Sequence, residues 1–149
     1  MKQIGMFVIA ILVAVVAAAD PASAVFKEKD GVAIRGYDTV AYFEQGKPVK
    51  GTPEFEYEWM GARWRFSSAA NRDLFAKDPA KYAPRYGGYC AYGVVHGHLS
   101  PIDPSAWKIV EGKLYLNYDR EVQDLWNKDI PGNILKAEKI WPELIKTSK

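Results

Sequence analysis

The sequence predicts an α+β fold, a small antiparallel sheet built from two hairpins with flanking helices. Three observations carry that expectation. Residues 54–66 alternate between aromatic and charged side chains about a short turn. Residues 107–116 form a second alternating stretch around Glu111-Gly112. Apolar residues at helical spacing follow each of them. The order strands, helix, loop, strands, helices favours α+β over an alternating α/β arrangement.

In the first hairpin Phe55, Tyr57 and Trp59 alternate with Glu54, Glu56 and Glu58, while Trp64 and Phe66 alternate with Arg63 and Arg65. Folding about a two-residue Met60-Gly61 turn sets Glu58 opposite Arg63 and Glu56 opposite Arg65 on one face. It sets Tyr57 opposite Trp64 and Phe55 opposite Phe66 on the other. A slip by one residue would turn the glutamates into the core. The Glu/Arg ladder therefore reads as a solvated sheet face, not a binding site. Ser67-Ser68 cap a helix running through Lys77, with Leu74 and Phe75 inward, and Asp78-Pro79 ends it. The second hairpin turns at Glu111-Gly112 and sets Ile109 opposite Leu114. Asn117 or Asp119 then caps a helix carrying Val122, Leu125 and Trp126. A last helix starts near Pro131 and aligns Ile134, Ala137 and Trp141, and Pro142 is expected to kink or restart it. No internal repeat, linker or low-complexity stretch is read, so residues 25–149 are expected to form one domain of ordinary size.

The start of the chain has a different character. Lys2 precedes the apolar run Ile4 to Ala19, and Ala22-Ser23-Ala24 has the small-x-small pattern of a cleavage site. Residues 1–24 thus read as a signal peptide, with a mature chain starting at Val25. The run is short against the roughly 20 residues of a membrane span. The expected location is periplasmic or secreted, with no stable membrane insertion after cleavage. Removing residues 1–24 takes away one charge of each sign, Lys2 and Asp20, and leaves the net charge at +2. That balance gives no footprint for nucleic acid.

Cys90 is the only cysteine, and His96 and His98 are the only histidines. All three lie within nine residues. An exported chain with one cysteine makes no internal disulfide, so the thiol is buried, metal-bound, paired with another molecule or reactive. Thiolate and imidazole suit soft and borderline metals. On extended backbone His96 and His98 share a face. Cys90 has the same parity but stands about 20 Å from His96 on a straight strand, so a shared site needs a bend at Gly93 or Gly97. Asp38 and Asp103 are candidate oxygen ligands or partners for an imidazole N–H. Tyr37, Tyr42, Tyr82, Tyr86, Tyr89 and Tyr92 are candidates to line a pocket, or else core aromatics. The residues also admit a purely structural cysteine and a thiol nucleophile activated by His96 or His98. The c-type haem motif is absent, and Gly88 to Gly93 lacks the Lys-Ser/Thr of a phosphate-binding loop.

Five segments together carry a family resemblance: Gly36-Tyr37-Asp38-Thr39-Val40-Ala41-Tyr42-Phe43, Trp64-Arg65-Phe66-Ser67-Ser68, Phe75-Ala76-Lys77-Asp78-Pro79-Ala80-Lys81-Tyr82, Tyr86-Gly87-Gly88-Tyr89-Cys90-Ala91 and Gly112-Lys113-Leu114-Tyr115-Leu116-Asn117-Tyr118. Across about Arg35 to Trp141 the chain resembles the exported YHS domain-containing proteins. The resemblance implies a compact α+β domain. In shorter YHS domains the cysteines of a Phe-Cys-Ser-x-x-Cys-like stretch are associated with metal. Here the stretch begins Phe66-Ser67-Ser68-Ala69-Ala70, with Ser67 at the first cysteine position and no second cysteine. Those ligands are not carried over, and the Tyr-His-Ser triplet is absent. Only Cys90 matches the exported group's own pattern.

The expectation is an exported, monomeric, non-enzymatic domain that binds copper or zinc through Cys90, His96 and His98. Tyr37, Asp38 and Tyr89 are candidate contacts to a bound group, and no nucleotide is expected. The alternative is a small-molecule-binding or thiol-dependent enzymatic domain using Cys90.

Overall fold

A computed structural model of the chain describes residues 24–148. The signal peptide read at residues 1–24 therefore lies, except for Ala24, outside the described residues. The fold is α+β, as the patterns predict. Its order is α1 (Thr39–Glu44), β1 (Thr52–Trp59), β2 (Ala62–Phe66), α2 (Ala69–Lys77), α3 (Pro79–Tyr82), α4 (Ala91–Val95), β3 (Asp103–Val110), β4 (Lys113–Asn117), α5 (Arg120–Asn127) and α6 (Ile130–Thr147). Short 3-10 turns lie at Ile34–Gly36 and Arg85–Gly88. The two hairpins stand as separate two-stranded sheets.

The first hairpin keeps the register that its charges and aromatics dictate. Glu56 pairs with Arg65, Tyr57 with Trp64 and Glu58 with Arg63. Both arginines reach one carboxylate, since Arg65 Nε lies 2.9 Å and Arg63 Nη1 3.8 Å from Glu56 Oε1. The expected Phe55–Phe66 pair is not formed. A bulge between Thr52 and Glu56 puts Thr52 opposite Phe66, because the three residues 53–55 loop out of the ladder and shift the pairing of all that precede them. Trp64, Phe66 and Phe75 are buried together, with Trp59 and Tyr57 edge-on to Phe75. This aromatic cluster is the larger core. A second core holds Tyr86, Val94, Tyr115, Trp126 and Ala137, where α4, β4, α5 and α6 meet.

Helix starts follow side-chain oxygen acceptors. Ser68 accepts from Asn71 N, Asp119 from Val122 N and Asp129 from Gly132 N. Each satisfies a backbone donor that a helix leaves open. Of the two caps expected for α5, Asp119 is the one used. Pro142 does not restart the last helix, which continues through it to Thr147. Helix α1 and helix α4 fall where no helix was expected. The element order also runs twice: short helix, hairpin, helix, helix. Among the described residues no helix is long and apolar enough to cross a membrane.

The chain just after the cleavage pattern is bound into this body. Val25 and Phe26 are buried, Phe26 N donates to Gly87 O at 2.9 Å, and Phe26 packs on Tyr89. Gly87 takes φ +62°, and a Cβ there would fall 1.7 Å from Ala24 O. Only glycine allows the two segments to lie so close.

Candidate functional site

Cys90 is positioned by three elements. It is the residue before α4, and its sulfur accepts the N–H of Gly93 at 3.3 Å. The sulfur also accepts Tyr118 N–H at 3.2 Å, from the residue after β4. Its own proton points at Asn117 Oδ1, 3.5 Å away. Asn117 is held in that orientation, since Oδ1 also accepts Tyr92 N–H at 3.0 Å and Nδ2 donates to Gln123 Oε1 at 2.7 Å. Gln123 Nε2 continues the chain to Asn127 Oδ1. A carbonyl oxygen fixed against the sulfur demands a protonated thiol. Burial pushes the Cys90 thiol up, outweighing the Gly93, Tyr118 and Tyr92 N–H groups that favour the thiolate, and the Asp119 carboxylate adds to the rise.

The histidines do not sit on a strand. Helix α4 runs to Val95, His96 is its C-terminal cap, and Gly97 at φ +75° reverses the chain. His98 N–H then returns to Gly93 O at 2.8 Å. Gly93 lets this return segment lie close, since a Cβ there would meet His98 O at 3.2 Å. Of the two glycines expected to bend the chain, Gly97 reverses it, while Gly93 stays within α4 and leaves room for the returning segment. Its result is a surface pocket of about 480 Å³ lined by Cys90, Tyr92, Gly93, His96, His98, Ser100, Tyr118 and Val122. His96 packs edge-on to Tyr92 with ring centroids 4.7 Å apart.

The pocket gathers all three chemistry-bearing residues without making them ligands of one centre. Among the described residues no three His, Cys, Asp or Glu side chains stand close enough to hold a metal ion. The sulfur's hydrogen bonds go to Asn117, Gly93 and Tyr118, and none joins it to an imidazole. A preformed three-ligand centre does not fit this donor set. A nucleophile paired to a base does not fit it either.

The other candidate residues lie elsewhere. Asp38 is fully buried, and both of its oxygens are occupied. Oδ1 accepts from Val40 N and Ala41 N, and Oδ2 from Ser67 N, Ser67 Oγ and Asn71 Nδ2, at 2.7–3.1 Å. It ties α1 to the start of α2. The Phe-Cys-Ser-x-x-Cys spacing places the family cysteines at Ser67 and Asn71, so here both positions donate to one carboxylate oxygen. Tyr37 precedes Asp38 and pairs with Lys50. Tyr89 packs on Phe26 and Trp141. None of these three lines the Cys90 pocket. Asp103 accepts from Ser105 N and Oγ, which hold its carboxyl below the usual range. Of the tyrosines, Tyr92 reaches the pocket, while Tyr42, Tyr82 and Tyr86 are core residues. Tyr118, Val122 and Asn117 were missed. For Asn117 and Tyr118 the signal was the end of β4, which brings residues 117 and 118 to the start of α4; for Val122 there was none.

The model of one family, the YHS domain, matches residues 40–86. The chain contains a YHS domain. That domain spans α1 through the Arg85–Gly88 turn, and YHS domains are often linked to metal binding. The Cys90 pocket lies just beyond the match. No curated protein and no solved structure matches the chain.

Proposed function

We propose that this YHS-domain protein is a non-enzymatic binding protein whose ligand is a small aromatic molecule held in the Cys90 pocket. One observation carries the reading. Ligand-type side chains from residues 90–100 and from the β4–α5 junction line a single pocket of about 480 Å³, within the usual range for small-ligand sites. Tyr92, Tyr118 and the two imidazoles offer flat faces, Val122 an apolar wall and Ser100 a hydroxyl. Cys90 contributes a neutral thiol that holds the pocket's shape. In this reading the mature chain is exported, monomeric and periplasmic or secreted.

A second reading keeps the metal. Cys90, His96 and His98 share the pocket, and a copper or zinc ion would draw them together by moving the His96–His98 segment and deprotonating the thiol. Amide shifts of the isotope-labelled chain separate the two. Phenol and indole are titrated first, then Zn(II) and Cu(I). The first reading expects shifts confined to residues 90–100 and 117–122, weakened by His96→Ala and Tyr118→Ser. It is abandoned if neither probe shifts those residues by about 10 mM, where even a weak site would be filled. Metal binding tighter than about 1 μM that Cys90→Ser abolishes would establish the second reading.

A further inference from the structure

We infer that the chain is two copies of one helix–hairpin–helix unit, related by a shift of 51 residues, in which Cys90 is the counterpart of Asp38. The pocket at Cys90 then occupies the place that the Asp38 cluster fills in the first copy. This deepens the reading above and rests on it only for the ligand.

The correspondence is residue by residue. Strands 52–59 and 62–66 become 103–110 and 113–117. Every cross-strand pair shifts by the same amount: Tyr57–Trp64 becomes Lys108–Tyr115, and Trp59–Ala62 becomes Val110–Lys113. The bulge recurs, between Thr52 and Glu56 and between Asp103 and Trp107. Both turns put two residues at positive φ, 51° and 72° at Met60-Gly61, 51° and 75° at Glu111-Gly112. Ser68 and Asp119 cap the following helix in the same way. Asp78 and Asp129 cap the next one with φ and ψ of −151°, 74° and −151°, 73°. Phe75 and Trp126 are each fully buried, one in each core. The sequence keeps a trace, in Asp73-Leu74-Phe75-Ala76-Lys77-Asp78 against Asp124-Leu125-Trp126-Asn127-Lys128-Asp129. Independent hairpins share a turn type through common strand twist. Nothing in that rule repeats a bulge, two caps and a buried aromatic at one fixed interval.

The same shift, lengthened by one residue before the short helix, superposes the two sites. Asp38 N–H bonds to Val49 O and Cys90 N–H to Ser100 O. Asp38 accepts from Ala41 N and Ser67 N, and Cys90 from Gly93 N and Tyr118 N. In the first copy Ser67 and Asn71 close over the carboxylate. Their counterparts are Tyr118 and Val122, which donate no side-chain hydrogen bond to Cys90 and line the pocket instead. The second copy has exchanged a closed polar cluster for an open site. Tyr118 and Val122 are therefore its specificity-determining positions.

Equivalence makes an unusual demand. A carboxylate at position 90 would meet the N–H groups of Gly93 and Tyr118, as Asp38 meets those of Ala41 and Ser67. It gains Tyr92 N–H, the counterpart of Val40 N–H, when the Asn117 amide, whose Oδ1 now takes that donor, turns its Nδ2 inward. The test compares the melting of the full chain carrying Cys90→Asp with that carrying Cys90→Ala. The Cys90→Asp chain is expected to fold and, at pH 7, to melt at or above the Cys90→Ala chain. Its advantage should fall away below about pH 4, since a carboxylate favoured by N–H donors stabilises only while ionised. Failure to fold, or melting below Cys90→Ala, overturns the equivalence, because an unsupported buried carboxylate is strongly destabilising. This arm needs no ligand, so it can fail separately from the binding reading. In the ligand arm, Val122→Asn should weaken phenol binding at least about tenfold. Unchanged phenol binding in Val122→Asn removes the specificity role.

Discussion

Asp38 shows how much a single buried side chain can organise. Five groups donate to it: the N–H groups of Val40, Ala41 and Ser67, the Ser67 hydroxyl and the Asn71 amide. Asp38→Ala would leave them buried without an acceptor. Each such group costs about 1–3 kcal/mol, so a loss of at least about 3 kcal/mol is expected in urea unfolding. A loss under about 1 kcal/mol would mean that water or another acceptor replaces the carboxylate. At this scale the sequence was partly legible. The rarity of cysteine and histidine led to the pocket. The role of Asp38 was hidden because its partners are 29 and 33 positions away, at a junction that only the hairpin brings close.

At the scale of elements, the clearest signals were alternation and capping. Glutamates facing arginines defined the first register, and a slip would have buried charge. The bulge escaped notice although Pro53 marks its place, since a proline has no N–H to give the ladder. Helices α1 and α4 escaped because six and five residues carry too little periodicity to be read. The repeat was masked in its strands, where aromatic-and-charged in the first copy became Lys108, Leu114 and Leu116 in the second. The contact between residues 24–26 and the Arg85–Gly88 turn can be probed directly. Gly87→Ala places a methyl group 1.7 Å from Ala24 O at a left-handed φ, so the segment must detach. A loss of about 2 kcal/mol or more is expected, with Phe26 and Tyr89 resonances most changed. Wild-type stability in that variant would show that the segment is not part of the cooperative fold.

For the whole molecule, its buried acids of high pKa set the response to alkali. Burial raises the Cys90 thiol and the phenols of Tyr42, Tyr86, Tyr89 and Tyr115. The Tyr86 phenol is also pushed up by the nearby Glu138 carboxylate. In each case the folded state holds the proton more tightly than the unfolded one. Their contribution is therefore complete below the unfolded values, about 8.5 for Cys and about 10 for Tyr, and is lost as pH climbs toward the raised folded values. Unfolding free energy should be flat with respect to these groups near pH 7 and should decline from about pH 8.5 upward. Cys90→Ala should remove the earliest part of that decline. A stability that rises between pH 8.5 and 10.5 would contradict the assignment.

The burial of Val25 and Phe26 has a further consequence for how such a chain could be handled by the cell. A cut after Ala24 leaves no slack between the severed bond and the packed interior, because Val25 is 2% exposed. A peptidase needs several residues in extended, reachable form, and here they are stitched to Gly87 and Tyr89. Any peptidase that cuts after Ala24 must therefore act before the body closes, so that timing, and not only the small-residue pattern, decides whether that bond is reached.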